Sequence, residues 1–144
     1  MDPNYMGELI SHSPEETVSH GKAMGENCAK SMVLLFGDLG TGKTLWTKGF
    51  AKGLLILSDV YSPSYTILNR YKDGGKKLYH FDLYRINYME ELVDIGLLEI
   101  LDEGFPVVIE WPERFPELKK WPHLSVTLLE NGPNSRKIFW EFNG

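Results

Sequence analysis

Residues Gly37-Asp38-Leu39-Gly40-Thr41-Gly42-Lys43-Thr44 fit the pattern G-x-x-x-x-G-K-[ST] at every position. Few architectures can house such a segment. Its glycines let the main chain curl so that successive N–H groups point inward, and small residues let phosphate oxygens come close. The curl also needs a strand to lead into it and a helix to leave it, because the helix N-terminus adds the positive end of its dipole. Both flanks are present. Met32-Val33-Leu34-Leu35-Phe36 is a continuous apolar run bounded by Gly37, which predicts a fully buried strand of a parallel sheet. Leu45, Trp46, Gly49, Phe50, Gly53 and Leu54 then recur at helical spacing, which predicts a helix from about Gly42 with Trp46 and Phe50 turned inward. In that setting Asp38, Leu39, Gly40, Thr41 and Gly42 cradle the phosphates of Mg-ATP. Lys43 offers a mobile cation to the β- and γ-phosphates, and the Thr44 hydroxyl is the expected Mg²⁺ ligand.

The rest of the chain predicts an α/β fold of the P-loop type: a mixed, mainly parallel sheet flanked by helices, with antiparallel hairpin additions. Ser13-Pro14-Glu15-Glu16 reads as a helix cap, and that helix is expected to run to about Ala29. Tyr65 to Tyr71 and Lys77 to Asp82 read as a strand pair joined through Asp73-Gly74-Gly75. Asn87 with Glu90 predicts one helix start and Asp94 a second, through Ile100. Phe105 to Ile109 is a further buried strand, and Leu124 to Glu130 with Lys137 to Phe142 forms a terminal hairpin.

Composition closes off other classes. The 144 residues have the size of one domain, taken as residues 1–144, and carry no repeat, low-complexity tract or linker. A lone Cys28 admits no internal disulfide and suits a reducing, cytoplasmic setting. Met1 to Ile10 shows neither a basic nor an apolar leader segment, and no run of about 18 apolar residues occurs, so no membrane association is expected. A net charge of -5 disfavours direct, tight nucleic-acid binding.

A P-loop needs a carboxylate at the end of a neighbouring strand, since Mg²⁺ bound only by Thr44 and phosphates is poorly placed to bridge them. Glu110 ends the apolar strand Val107-Val108-Ile109 and is assigned to the metal, directly or through water, against an ion pair with Arg114. Asp82 ends another strand and fits a metal-water or attacking-water role. His80, two residues earlier on the same face, reads as a buried structural histidine. Arg85 either neutralises phosphate charge or braces Asp82, and Trp111 either stacks on a base or partner or packs. His12, His20 and His123 lack metal-ligand spacing.

The P-loop GDLGTGKT, Ser62-Pro63-Ser64-Tyr65-Thr66, His80-Phe81-Asp82-Leu83-Tyr84-Arg85 and Glu110-Trp111-Pro112-Glu113 together resemble the bacterial TsaE (YjeE) family in order and spacing, over nearly the whole chain. Ser64 departs from the family's usual threonine but keeps the hydroxyl. The resemblance implies an ATPase required for N6-threonylcarbamoyladenosine in tRNA, acting with the TsaD and TsaB proteins and meeting tRNA only through them. It implies that Lys43 and Thr44 bind phosphate and metal, that Glu110 serves the metal, and that Asp82 and Trp111 support hydrolysis. It implies that Ser62 to Thr66 forms a switch-like segment sensing the γ-phosphate, against a plain loop turned by Pro63, and that Thr17 and Arg136 border the nucleotide. A small-molecule kinase is the alternative, but Arg85 is the only arginine between Asp82 and Glu110 and no arginine-rich lid is legible. No N-K-x-D segment follows the P-loop, so a guanine switch is disfavoured.

Overall fold

The computed structural model describes residues 6–28 and 32–144. Its centre is β2 (Met32–Phe36), whose unbroken apolar run is explained by burial on both faces. Val33 and Leu35 face one core cluster and Leu34 the other. β2 runs parallel to β5 (Val107–Glu110) on one side and to β6 (His123–Glu130) on the other. β4 (Lys76–Asp82) continues the parallel set beyond β5. Antiparallel strands finish both ends: β3 (Leu68–Asp73) on β4, then β7 (Arg136–Asn143) on β6 and β1 (Met6–Ser11) on β7. The seven-stranded order is β1-β7-β6-β2-β5-β4-β3.

Helices α1 (Pro14–Asn27) and α2 (Lys43–Gly53) cover one face, where Trp46 and Phe50 are fully buried and stacked 5.2 Å apart. Burying a side chain of that size stabilises by about 1.5–3 kcal/mol. Helices α3 (Met89–Ile95) and α4 (Leu97–Glu103) cover the other face through Leu92, Leu97 and Ile100. No helix among the described residues is long and apolar enough to cross a membrane.

The contact between α1 and α2 is set by four glycines. A Cβ on Gly21 or Gly25 would come within 3.0 Å of the main-chain oxygens of Trp46 or Phe50. In reciprocal fashion, a Cβ on Gly49 or Gly53 would meet the carbonyls of Val18 or Lys22 within the same limit. The two helices therefore touch backbone to backbone, and the P-loop helix is seated on α1 with no side-chain layer between them.

His20 locks this contact. Trp46 Nε1 donates to His20 Nδ1 at 2.9 Å. Indole is a donor only, so the imidazole must keep Nδ1 unprotonated. Burial pushes the His20 pKa down from 6.5 to about 4. Because the folded value lies below the unfolded one, this group leaves stability intact above pH 6.5. Stability falls as pH drops from 6.5 towards 4 and levels off below that. A urea series from pH 7.5 to 4 should lose on the order of 2–3 kcal/mol, and His20→Gln should flatten that slope. An unchanged slope in the variant would show that His20 is not the responsible group.

Several sequence expectations shift. Ser13 caps α1 as predicted, its hydroxyl accepting from Glu16 N at 3.1 Å, but the Glu16 carboxylate reaches back to His12 N, one residue before the cap. The predicted end near Ala29 lies outside the described residues. β3 begins at Leu68 rather than Tyr65: Ile67 takes a left-handed φ of 67°, and Tyr65 is exposed in the turn before it. α3 starts one residue later than Asn87 and Glu90 imply, because it is Glu91 that accepts from the N–H groups of Asn87 and Tyr88. Asp94 starts nothing; Gly96, at φ 111°, is the break between α3 and α4. β1 has no counterpart in the sequence reading, and of the irregular stretch from Leu54 to Ile67 only Ser62 to Thr66 reads there as a non-strand segment.

Candidate nucleotide site

β2 delivers the loop and α2 carries it away. Gly40 and Gly42 sit at φ 79° and 97°, a region L side chains rarely enter. Thr41 N and Oγ1 both donate to the Asp38 carbonyl, at 3.3 and 2.8 Å, and tie the turn. Gly42, at the α2 N-cap, gives no side-chain cap, in contrast to Ser13 on α1. The first N–H groups of α2 therefore have no capping oxygen and suit an anion. Arg136, on β7, donates from Nε to the Thr41 carbonyl (3.1 Å) and from Nη2 to the Gly40 carbonyl (3.0 Å). Its guanidinium braces the back of the loop, a role the sequence reading, which placed it beside the nucleotide, did not foresee. Thr17 is buried and pairs with the Ser11 hydroxyl at 2.7 Å, and together with Arg136, Gly40 and Thr41 it lines a small cleft beside the loop. Leu39 is 79% exposed at the loop's tip.

Lys43 opens α2, and its Nζ is buried without a hydrogen-bond partner among the described residues. It lies 3.9 Å from Glu110 Oε1 and 4.0 Å from the centroid of the Trp111 ring. Loss of hydration lowers its pKa, and the nearby carboxylates of Glu110, Asp82, Glu113 and Asp38 oppose that shift. A buried ammonium with no acceptor is costly unless an anion arrives. Trp111 covers it from a left-handed conformation (φ 58°) unusual for a bulky residue, with the Tyr84 ring 4.9 Å away. Thr44, half-buried, follows on the first turn of α2.

Parallel pairing brings the two carboxylates side by side. Asp82 and Glu110 are Cα partners at the ends of β4 and β5, and Leu35 of β2 faces Glu110 from the other side. Asp82 accepts from Tyr84 N at 2.9 Å and from Ser64 Oγ at 3.4 Å. Glu110 binds His80 Nε2 at 2.5 Å; Arg114 instead donates to Ile86 O and Asn87 Oδ1, so the alternative ion pair with Glu110 is absent. Arg85 braces Ser64 O, at 3.4 Å, rather than Asp82. No group of three His, Cys, Asp or Glu residues among the described residues could hold a metal by itself. That fits Mg²⁺, which binds through one or two carboxylates plus phosphate oxygens and retained water. The sequence reading missed Asn69 and Tyr71, two buried polar groups behind His80; their alternation along β3 was the available signal.

The family model for the threonylcarbamoyl adenosine biosynthesis protein TsaE matches residues 11–138. The chain belongs to the TsaE family. Within it, the chain is 37% identical to the tRNA threonylcarbamoyladenosine biosynthesis protein TsaE of Nostoc sp., over 95% of this chain and 86% of that protein. It is 39% identical to the Bacillus subtilis TsaE, over 88% of this chain and 79% of that one. Its fold is similar to the crystal structure of Bacillus subtilis YdiB, with a TM-score of 0.81, 32% identity, and coverage of 98% and 88%. The TsaE match spans the P-loop, Asp82, Glu110 and Arg136 alike.

Proposed function

We propose that this TsaE-family chain binds Mg-ATP at Gly37 to Thr44, hydrolyses it slowly, and acts as an accessory factor in N6-threonylcarbamoyladenosine formation in tRNA together with TsaB and TsaD. The observation that carries the nucleotide part is the buried Lys43 ammonium without a hydrogen-bond partner among the described residues, set at an uncapped helix start beside Glu110. An incoming triphosphate supplies the acceptors that Lys43 and the α2 amides lack. Thr44 and Glu110 are the residues that would hold magnesium, which when bound would neutralise charge on the phosphates. Asp82, fixed by Tyr84 N and Ser64, would orient the attacking water or a water on the metal. Arg136 keeps the loop carbonyls turned away from the phosphates, and Trp111 must leave Lys43 or tilt as they enter.

Calorimetric titration with Mg-ATP and Mg-GTP tests the site, with saturable ATP binding expected and weaker GTP binding. No binding of either would end the proposal. Turnover alone should fall well below the enzyme median of about 10 per second, and rise when the TsaB and TsaD pair is added. An unchanged rate with both partners present would remove the accessory role while leaving the nucleotide site standing.

A further inference from the structure

Behind Glu110 a line of buried polar side chains leads to the irregular segment at Tyr61 to Thr66. Thr66 Oγ1 donates to Asn69 Oδ1 at 2.5 Å. Asn69 Nδ2 donates to the Tyr71 oxygen and to the Tyr61 carbonyl, both at 3.2 Å. The Tyr71 hydroxyl donates to that same carbonyl at 2.9 Å and lies 3.3 Å from His80 Nδ1. The other nitrogen of His80 meets Glu110 Oε2 at 2.5 Å. Asn69, Tyr71, His80 and Glu110 are each 5% exposed or less, so water does not compete for these bonds. The β3–β4 register sets Asn69 opposite His80, and the β4–β5 pairing sets His80 beside Glu110's strand.

We infer that Tyr71 and His80 are positioning residues, joining the conformation of the 61–66 segment to the orientation of the Glu110 carboxylate. The inference rests on the nucleotide reading above. With Nε2 on Glu110 and Nδ1 against the Tyr71 oxygen, His80 cannot turn without losing a buried polar contact. Glu110 Oε2 is thereby held on His80, which leaves Oε1 directed at Lys43 and the phosphate site. Both ends of the 61–66 segment are pinned to the same Asn69–Tyr71 pair, Tyr61 through its carbonyl and Thr66 through its hydroxyl. A shift of that segment therefore moves the group that orients His80, and a change at Glu110 travels back by the same route. Outer partners of this kind change metal affinity by about 10–100-fold when removed.

The test uses the full chain and separates nucleotide from metal. In native protein loaded with ATP in EDTA, adding Mg²⁺ is expected to slow amide exchange over residues 61–67 by at least about fivefold; no slowing overturns the inference without any variant. In Tyr71→Phe, ATP binding without metal should stay within about threefold of native. The Mg²⁺ concentration for half-saturation should rise about tenfold, and the slowing over 61–67 should vanish. A native Mg²⁺ requirement, or an equal weakening of metal-free ATP binding as a merely structural role would give, overturns the inference. Native protein that binds no ATP under either condition overturns the functional reading itself, and is recognised before any variant is made.

Discussion

Alanine at Gly49 should destabilise the chain by more than about 3 kcal/mol, the upper end for one added methyl in a packed interior. The atom that the new Cβ meets is the Val18 carbonyl oxygen, a main-chain group inside α1 that cannot rotate away as a side chain can. Relief needs the two helices to separate, and the paired glycines at 21, 25 and 53 lose their contact at the same time. The intrinsic gain of alanine over glycine in a helix, about 1 kcal/mol, is too small to offset this. Gly21→Ala should behave alike, whereas Gly75→Ala, with nothing near its Cβ, should stay within about 0.5 kcal/mol. Urea unfolding of the three variants measures the difference, and a Gly49→Ala midpoint equal to that of Gly75→Ala would show that the helices do not meet as described.

Replacing Lys43 with alanine should weaken Mg-ATP binding by at least about 100-fold, the loss expected when a charge-assisted contact to phosphate is removed from a dry site. Stability should move the other way or not at all. The ammonium is buried without a hydrogen-bond partner among the described residues, and lost hydration lowers its pKa, so its charged form is a cost to the fold. Deleting it removes that burden, while Glu110 keeps its bond to His80. A protein that melts no lower than native yet fails to bind nucleotide therefore assigns Lys43 to the ligand. Native-like binding by Lys43→Ala would show that the triphosphate does not sit on this loop. Trp111 fluorescence gives an independent readout, because the ring loses the cation over its face in this variant.

What the sequence discloses follows from how local each signal is. β2, the loop and α2 are legible because they are contiguous: an apolar run, glycines and a change of period announce them in order. The β3–β4 hairpin is announced by Asp73-Gly74-Gly75, with Asp73 facing Lys76 across the turn. β1 escapes because its alternation is weak: Met6 and Ile10 are exposed with Glu8, while the packed face holds Gly7, Leu9 and Ser11, Gly7 because the Trp140 ring fills the place of a side chain. Of the four helix glycines, Gly49 and Gly53 read only as members of a periodic stripe and Gly21 and Gly25 do not stand out, since what they accommodate is the backbone of another element. In the site, Lys43, Thr44, Asp82 and Glu110 follow from motif and strand ends. The partners of His80 do not, because only the register of β3 against β4 brings Asn69 and Tyr71 behind it.

The brace on the loop has a further consequence. Arg136 reaches Thr41 across 95 residues of sequence, and β2 cannot complete its pairing until the segment from His123 to Glu130 is in place beside it. A nascent chain emerging from the ribosome thus displays its glycine curl long before anything holds the curl in shape. On the nucleotide reading proposed above, premature capture of ligand by half-made protein is disfavoured by topology, because the loop gains its brace only with the closing of the sheet.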